Sequence, residues 1–195
     1  MRYSRWLHIL LITLALPAAA SALAQQATSP MAAKADSDVF AARGQREARS
    51  IKYGDWQKLC FRPGGAKMVC RTSISGAFET GQTAVRVYLT EREGDSTARL
   101  QLFLPVGLYV PPGVKLTVDK GDAHKVPFTW CLTNTCIAGD AANPALLRQM
   151  EAGKNLELEV IDTNLVAVTT ALPLEKFAAV RNGAPAQVFE QTIEE

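Results

Sequence analysis

The sequence is poor in histidine, in aromatic residues and in any excess of one charge. It has two histidines among 195 residues, His8 and His124, and aromatic residues make up 7% of it. A metal site built from several histidines, or a catalytic relay through histidine, therefore lacks its components. The 21 basic and 19 acidic residues nearly balance and form no basic cluster of the kind that binds nucleic acid. We predict no catalytic residue, no metal site, no cofactor and no nucleic-acid partner.

Residues 1–24 are predicted to be a secretory signal peptide. Arg2 and Arg5 give a positively charged start, an apolar stretch follows, and Ala22-Leu23-Ala24 fits the small-x-small cleavage motif. The alternative, a membrane anchor, needs about 20 apolar residues, and the stretch reaches only about 18 even when Pro17 and the small residues after it are counted. After cleavage we expect no transmembrane segment and a chain with 19 basic and 19 acidic residues.

Four cysteines fit an exported protein, because an even number in an oxidising compartment indicates disulfides. They are Cys60, Cys70, Cys131 and Cys136, and three pairings are possible. The pairings between consecutive cysteines of the sequence are favoured, namely Cys60 with Cys70 and Cys131 with Cys136. Zinc is the alternative, but these spacings match paired zinc knuckles poorly.

Composition divides the remaining chain into three parts. Residues 25–50, rich in Ala, Gln, Ser, Lys and Arg, are predicted to be a disordered or weakly structured extension, with a helix over residues 39–50 as the alternative. Residues 51–182 are predicted to be the folded domain, and residues 183–195 a C-terminal tail.

Hydrophobic alternation over the folded domain predicts an all-β fold. Apolar residues alternate with polar ones over residues 85–90, 100–104, 114–119 and 156–160. Asn143, Pro144 and Gly153 predict one helix over residues 144–152, and residues 174–181 could form a second. About eight strands at hairpin spacing favour a mainly antiparallel β-sandwich or small barrel with one or two short helices.

Two apolar features are candidates for contact with a partner. Residues 106–113 form an apolar turn that is either a buried strand or an exposed patch, and from it we select Leu108, Tyr109 and Val110. Trp130 is the fourth candidate, with core packing as an equal alternative. Trp56, beside the first cysteine, is expected to lie in the core.

An ordered set of motifs resembles the invasion-associated locus B family, exported proteins of Gram-negative bacteria. The set comprises Gly54-Asp55-Trp56, Leu104-Pro105-Val106-Gly107, Pro112-Gly113-Val114, Cys136-Ile137-Ala138, Leu172-Pro173-Leu174 and Phe177-Ala178-Ala179, together with both cysteine pairs. Glu175-Lys176 departs from the Lys-Gly pair expected before Phe177. The resemblance implies a disulfide-stabilised β fold, no catalytic residues and a location in the periplasm, at the outer membrane or on the cell surface.

The function predicted from these observations is that of an exported, non-enzymatic cell-envelope protein. It would bind a protein or an envelope component and contribute to host-cell interaction, as the family name suggests. The alternative is a periplasmic hydrolase or carbohydrate-active enzyme that uses a pair of carboxylates. Three pairs are close in sequence: Asp119 with Asp122, Glu157 with Glu159, and Glu91 with Glu93.

Overall fold

The structure, a computed structural model, describes residues 41–191. The predicted signal peptide lies outside these residues. The strands are β1 (Gly44–Glu47), β2 (Ile51–Tyr53), β3 (Gln57–Arg62), β4 (Val69–Phe78), β5 (Thr83–Arg92), β6 (Arg99–Leu104), β7 (Val114–Val118), β8 (Ala123–Val126), β9 (Phe128–Cys131), β10 (Cys136–Ala141), β11 (Asn155–Ile161), β12 (Val166–Pro173) and β13 (Gln187–Glu190). The helices are α1 (Pro144–Ala152) and α2 (Phe177–Asn182).

The strands form two open sheets. Five strands have the order β1-β12-β11-β7-β8, and the larger sheet has the order β13-β3-β4-β5-β6-β10-β9, with β2 paired to β4. Two edge pairs, β1 with β12 and β13 with β3, are parallel, and the other pairs are antiparallel. Because neither sheet closes on itself, the sandwich is the correct one of the two predicted all-β architectures.

One hydrophobic core lies between the sheets. The apolar positions of each alternating strand are buried, including Leu102 in β6, Leu116 in β7 and Leu158 in β11, as the period of two predicts. Both helices add side chains to this core. Trp56 packs on Phe177 of α2 with ring centroids 4.8 Å apart and donates its indole N–H to a backbone carbonyl, which confirms its predicted place in the core.

Both predicted disulfides are present. Cys60 of β3 lies directly opposite Cys70 of β4, and Cys131 of β9 lies directly opposite Cys136 of β10. Each bond therefore joins two neighbouring antiparallel strands, and no free cysteine is left among the four.

The ends of α1 match the prediction. The side chain of Asn143 accepts a hydrogen bond from the backbone N–H of Ala145, Pro144 is the first helical residue, and Gly153 follows the last turn. The second predicted helix forms as α2, which begins three residues later than predicted and ends one residue later. Neither helix of residues 41–191 is long and apolar enough to cross a membrane.

Strands β1 and β13 lie in segments that were predicted to be an extension and a tail. Residues 41–50 of the predicted extension contain β1 and no helix, and the predicted tail, residues 183–195, contains β13. Their sequences, GQRE and QVFE, bury no alternating apolar face, and every residue of both is exposed. These strands form because their backbone groups hydrogen-bond to sheet edges that would otherwise be unpaired. A pattern of hydrophobic alternation cannot predict this kind of pairing. The rest of the predicted extension, residues 25–40, lies outside the described residues.

Candidate functional site

A cleft of about 770 Å³ opens between the two sheets. It is formed by the link from β1 to β2, the turn from β4 to β5, the segment after β6 and the adjoining ends of β11 and β12. The helices lie at the other end of the sandwich, where α1 leads into β11 and Arg181 of α2 reaches Glu91 at the end of β5. One end of the sandwich is thus closed by helices, and the other is open.

The interior of the cleft is apolar. Its floor consists of core residues from both sheets, among them Val85 and Leu158, which are 1% and 2% exposed. Its walls carry side chains that are half-buried or exposed, namely Ile51, Phe78, Val106, Leu108 and Val168. A concave apolar site of this volume with a few polar groups at its mouth is the usual form of a small-molecule site.

The charged groups at the mouth are Arg46 of β1, Arg49 of the link from β1 to β2, Glu79 of the turn after β4, and Asp162 after β11. Arg46 donates a hydrogen bond to Asp162, with 3.1 Å between nitrogen and oxygen. Arg49 also lines the cleft and makes no ion pair within residues 41–191. The mouth therefore offers one paired guanidinium, one guanidinium without an ion pair and the exposed carboxylate of Glu79 above an apolar interior.

Asp162 also shapes the turn between β11 and β12. Its Oδ1 atom accepts hydrogen bonds from the backbone N–H groups of Asn164 and Val166. The bond from Val166 is the largest influence on the pKa of Asp162 and lowers it; burial acts in the other direction, and Arg46 and Asn164 lower it further. Asp162 is thus held as a carboxylate, and its main role is to fix the backbone at the edge of the cleft.

The predicted partner-binding residues do not form one site. Leu108 lines the cleft and forms an isolated bridge with Asp162, so the apolar turn continues the five-stranded sheet beside β11. Tyr109 and Val110 follow at the surface, 36% and 39% exposed. Trp130 does not line the cleft; it is 69% exposed on the outer face of the eight-stranded sheet.

At least one carboxylate of each predicted pair has a structural partner. Asp119 accepts hydrogen bonds from two backbone N–H groups at the start of β11, and Glu159 forms an ion pair with Lys115 at 2.7 Å. Glu91 instead bonds Arg181 of α2, which also bonds Glu151 of α1. Burial acts to lower the pKa of Arg181, but the hydrogen bonds and charges of Glu91 and Glu151 have the larger combined effect. The pKa of Arg181 is therefore raised. This cluster joins the helices to the large sheet.

His124 likewise has a packing partner. One ring nitrogen lies 3.0 Å from the side-chain oxygen of Gln149, so β8 is joined to α1 at this point. Within residues 41–191, no group of three or more His, Cys, Asp or Glu side chains is placed to hold a metal ion.

Sequence reasoning missed most of the cleft because its residues are distant in the chain. Ile51, Phe78 and Val168 come from three different strands and meet only when the sheets are stacked. The one available signal is the apolar turn after β6, which predicts a contact role for Leu108.

Comparison with protein families matches residues 56–185 to the family described as "Invasion associated locus B (IalB) protein". Among solved structures, the chain is similar to the crystal structure of invasion associated protein B from Bartonella henselae, with 21% sequence identity and a TM-score of 0.59. The aligned part covers 67% of this chain and 90% of that chain, which supports the β fold. No curated protein gives a significant match.

Proposed function

Because the chain belongs to the invasion-associated locus B family, we propose that it is an exported, non-enzymatic protein of the cell envelope that binds an envelope component in its cleft. Residues 1–24 would direct its export. Two disulfides suit an oxidising compartment such as the periplasm. A role in host-cell interaction, which the family name suggests, would act through the component that is bound.

The apolar cleft between the sheets carries this proposal, and its chemistry favours an acyl chain as the occupant. The interior offers aliphatic walls from both sheets with few polar groups, which suits a flexible hydrocarbon chain. Arg49 at the mouth is the complement of an acidic head group, because its guanidinium has no ion-pair partner within residues 41–191. The envelope component is therefore a lipid or lipid-modified molecule with an anionic group near its acyl chain.

The proposal is non-enzymatic because the carboxylate that lies deepest at the cleft, Asp162, already has structural partners. A glycosidase needs two carboxylates facing one substrate. Two carboxylates line the cleft, Glu79 and Asp162, and Asp162 is fixed by a turn and by Arg46. Glu91 and Glu151 share Arg181 away from the cleft. These contacts favour binding over hydrolysis.

A displacement assay tests the occupant. The mature chain, residues 25–195, is saturated with an anionic naphthalene dye that fluoresces in apolar sites, and palmitate is titrated in. We expect palmitate to displace the dye. Val168→Phe places a ring in the cleft and should weaken palmitate binding by at least about tenfold, equivalent to about 1.4 kcal/mol.

Two further variants separate the interior from the head-group contact. Val110→Phe is the matched control, because Val110 is exposed and does not line the cleft; its palmitate affinity should equal that of the wild type. Arg49→Gln should bind palmitate more weakly but a neutral long-chain alcohol equally well. Palmitate binding that survives Val168→Phe contradicts the proposal. Tighter binding after removal of residues 25–40 would assign the cleft to that segment instead.

A further inference from the structure

The outer face of the eight-stranded sheet carries an apolar stripe that runs diagonally across the sheet. We call it the outer stripe, and it consists of Phe189, Phe61, Leu59, Tyr88, Phe103 and Trp130. Its residues lie on β13, β3, β5, β6 and β9, so it spans a width of seven strands, about 29 Å measured perpendicular to them at about 4.8 Å per strand. It is distinct from the cleft, so an inference about it goes beyond the proposed function.

Strand register places these side chains on one face. Phe189 lies opposite Phe61, while Phe103 and Trp130 both lie opposite Ile137 of β10. The rings of Tyr88 and Phe103 have centroids 4.9 Å apart. The residues that alternate with them along the strands, such as Cys60, Val87 and Leu102, are almost completely buried, so the stripe faces outward.

The same face is positively charged. Four arginines occupy its outward positions: Arg71, Arg86, Arg92 and Arg99. The strands β3 to β6, β9, β10 and β13 contain three carboxylates, all at positions of the opposite face: Glu91, Asp140 and Glu190. Arg92 lies 4.0 Å from Asp95, which follows β5, and the other three arginines make no ion pair within residues 41–191. By contrast, the outer face of the five-stranded sheet carries both signs of charge, Lys115 and Lys125 with Glu157 and Glu159, and Lys115 forms an ion pair with Glu159.

From this combination we propose that the outer face of the eight-stranded sheet docks on an anionic lipid surface. The stripe has its most exposed apolar groups at its two ends: Trp130 is 69% exposed at one edge, and Phe61 and Phe189 are 42% and 45% exposed at the other. Tryptophan and phenylalanine favour the boundary between head groups and acyl chains. The arginines between and beside these anchors would contact lipid phosphates, which guanidinium groups bind in a bidentate manner.

The centre of the stripe distinguishes a lipid surface from an acidic polysaccharide. A sugar chain would need open aromatic faces on which its rings could stack. Instead, the guanidinium of Arg71 covers the ring of Tyr88 at 4.5 Å from its centroid, and Arg86 donates to the hydroxyl of the same tyrosine. The arginines are thus held on the surface by the central rings, while the apolar groups that can insert lie at the edges.

Vesicle binding of the mature chain tests the proposal. Vesicles of phosphatidylglycerol and phosphatidylcholine are compared with vesicles of phosphatidylcholine alone, and bound protein is separated by flotation. We expect binding to the anionic vesicles only, with a strong decrease at high salt. Each basic residue near an anionic surface contributes about fivefold in affinity, so Arg86→Gln with Arg99→Gln should weaken binding about 25-fold.

A charge-matched control and a spectroscopic readout make the test specific to this face. Lys120→Gln with Lys125→Gln removes the same charge from the β7–β8 hairpin of the other sheet and should change vesicle binding little.

The mature chain has two tryptophans, of which Trp56 is buried and Trp130 exposed. Vesicles should therefore shift the emission of Trp130 to shorter wavelength, and Trp130→Phe should abolish this shift.

The outcomes separate this inference from the acyl-chain proposal. Val168→Phe should leave vesicle binding unchanged, and Arg86→Gln with Arg99→Gln should leave palmitate binding unchanged. Absence of vesicle binding, or binding that is equally weakened by the lysine control, overturns the proposal. Binding of a soluble acidic polysaccharide through the same arginines, without vesicle binding, would reassign the face to a glycan.

Discussion

Thr72 is a buried hydroxyl that should cost the protein stability. It lies in β4 between Lys58 of β3 and Leu89 of β5, and it is 0% exposed. Its Oγ1 atom has no hydrogen-bond partner within residues 41–191. A buried polar group without a partner costs about 1–3 kcal/mol relative to its hydrated state in the unfolded chain. Replacing the hydroxyl by a methyl group of similar shape removes this cost.

We therefore expect Thr72→Val to stabilise the protein by about 1–2 kcal/mol. Valine keeps the β-branched shape that suits a strand, so little repacking is needed. For a domain of this size, the melting temperature should rise by about 3–6 °C. Urea unfolding with the disulfides intact should show a higher midpoint and an unchanged slope, because the area exposed on unfolding is the same.

Thr72→Ser is the matched control, because it retains the hydroxyl and removes the methyl group. It should destabilise the protein by about 1 kcal/mol, the usual effect of one lost buried methyl group. The reasoning fails if Thr72→Val is destabilising by 1 kcal/mol or more. That result would show that the hydroxyl has a partner, such as a buried water molecule.

Three further predictions concern a disulfide, a helix cap and a buried carboxylate. Replacing Cys60 and Cys70 by Ala should lower the free energy of unfolding by about 3 kcal/mol in urea titrations, since the disulfide closes a loop of 10 residues; an unchanged midpoint would contradict this. Asn143→Ala removes the bond to the N–H of Ala145 and should cost about 1 kcal/mol, whereas Asn143→Ser should cost less. The folded-state pKa of Asp162 is lowered, so the ionised carboxylate stabilises the folded protein. This contribution is complete above the unfolded-state pKa of about 3.9, and it is lost as the pH falls through the lower folded-state pKa. The melting temperature of Asp162→Asn should therefore fall less than that of the wild type between about pH 5 and pH 2, and parallel curves would contradict the assignment.

The sequence predicted best those parts of the fold in which burial and local spacing agree. Strands β5, β6, β7 and β11 have clean alternation, and α1 has its capping residues, so local physical chemistry was sufficient. The two disulfides were found because each joins sequence neighbours. In contrast, β1 and β13 are defined by backbone pairing with distant edges, which leaves no side-chain pattern.

The candidate sites were harder to predict because both depend on strand order. Alternation shows that Arg86, Tyr88 and Phe103 point away from the core, but not that their strands are neighbours. Only the register of β5 with β6 brings the last two into ring contact. The cleft depends in addition on how two sheets are stacked, and no local pattern encodes that arrangement. The sequence indicates Trp130 as a contact residue, but it does not indicate the arginines that share its face.

Besides stabilising the fold, the two disulfides fix the strand register beside the exposed residues of the outer stripe. Cys60 is flanked by Leu59 and Phe61, the apolar pair at one edge of the sheet, and Cys131 follows Trp130 at the other edge. A shift of one residue in strand register would turn such side chains toward the opposite face. Because each disulfide fixes two residues opposite each other across neighbouring strands, it prevents this shift where the exposed anchors are located. Apolar side chains near both ends of the stripe are thus held outward by a covalent bond between neighbouring strands, and bonds of this kind persist in an oxidising compartment.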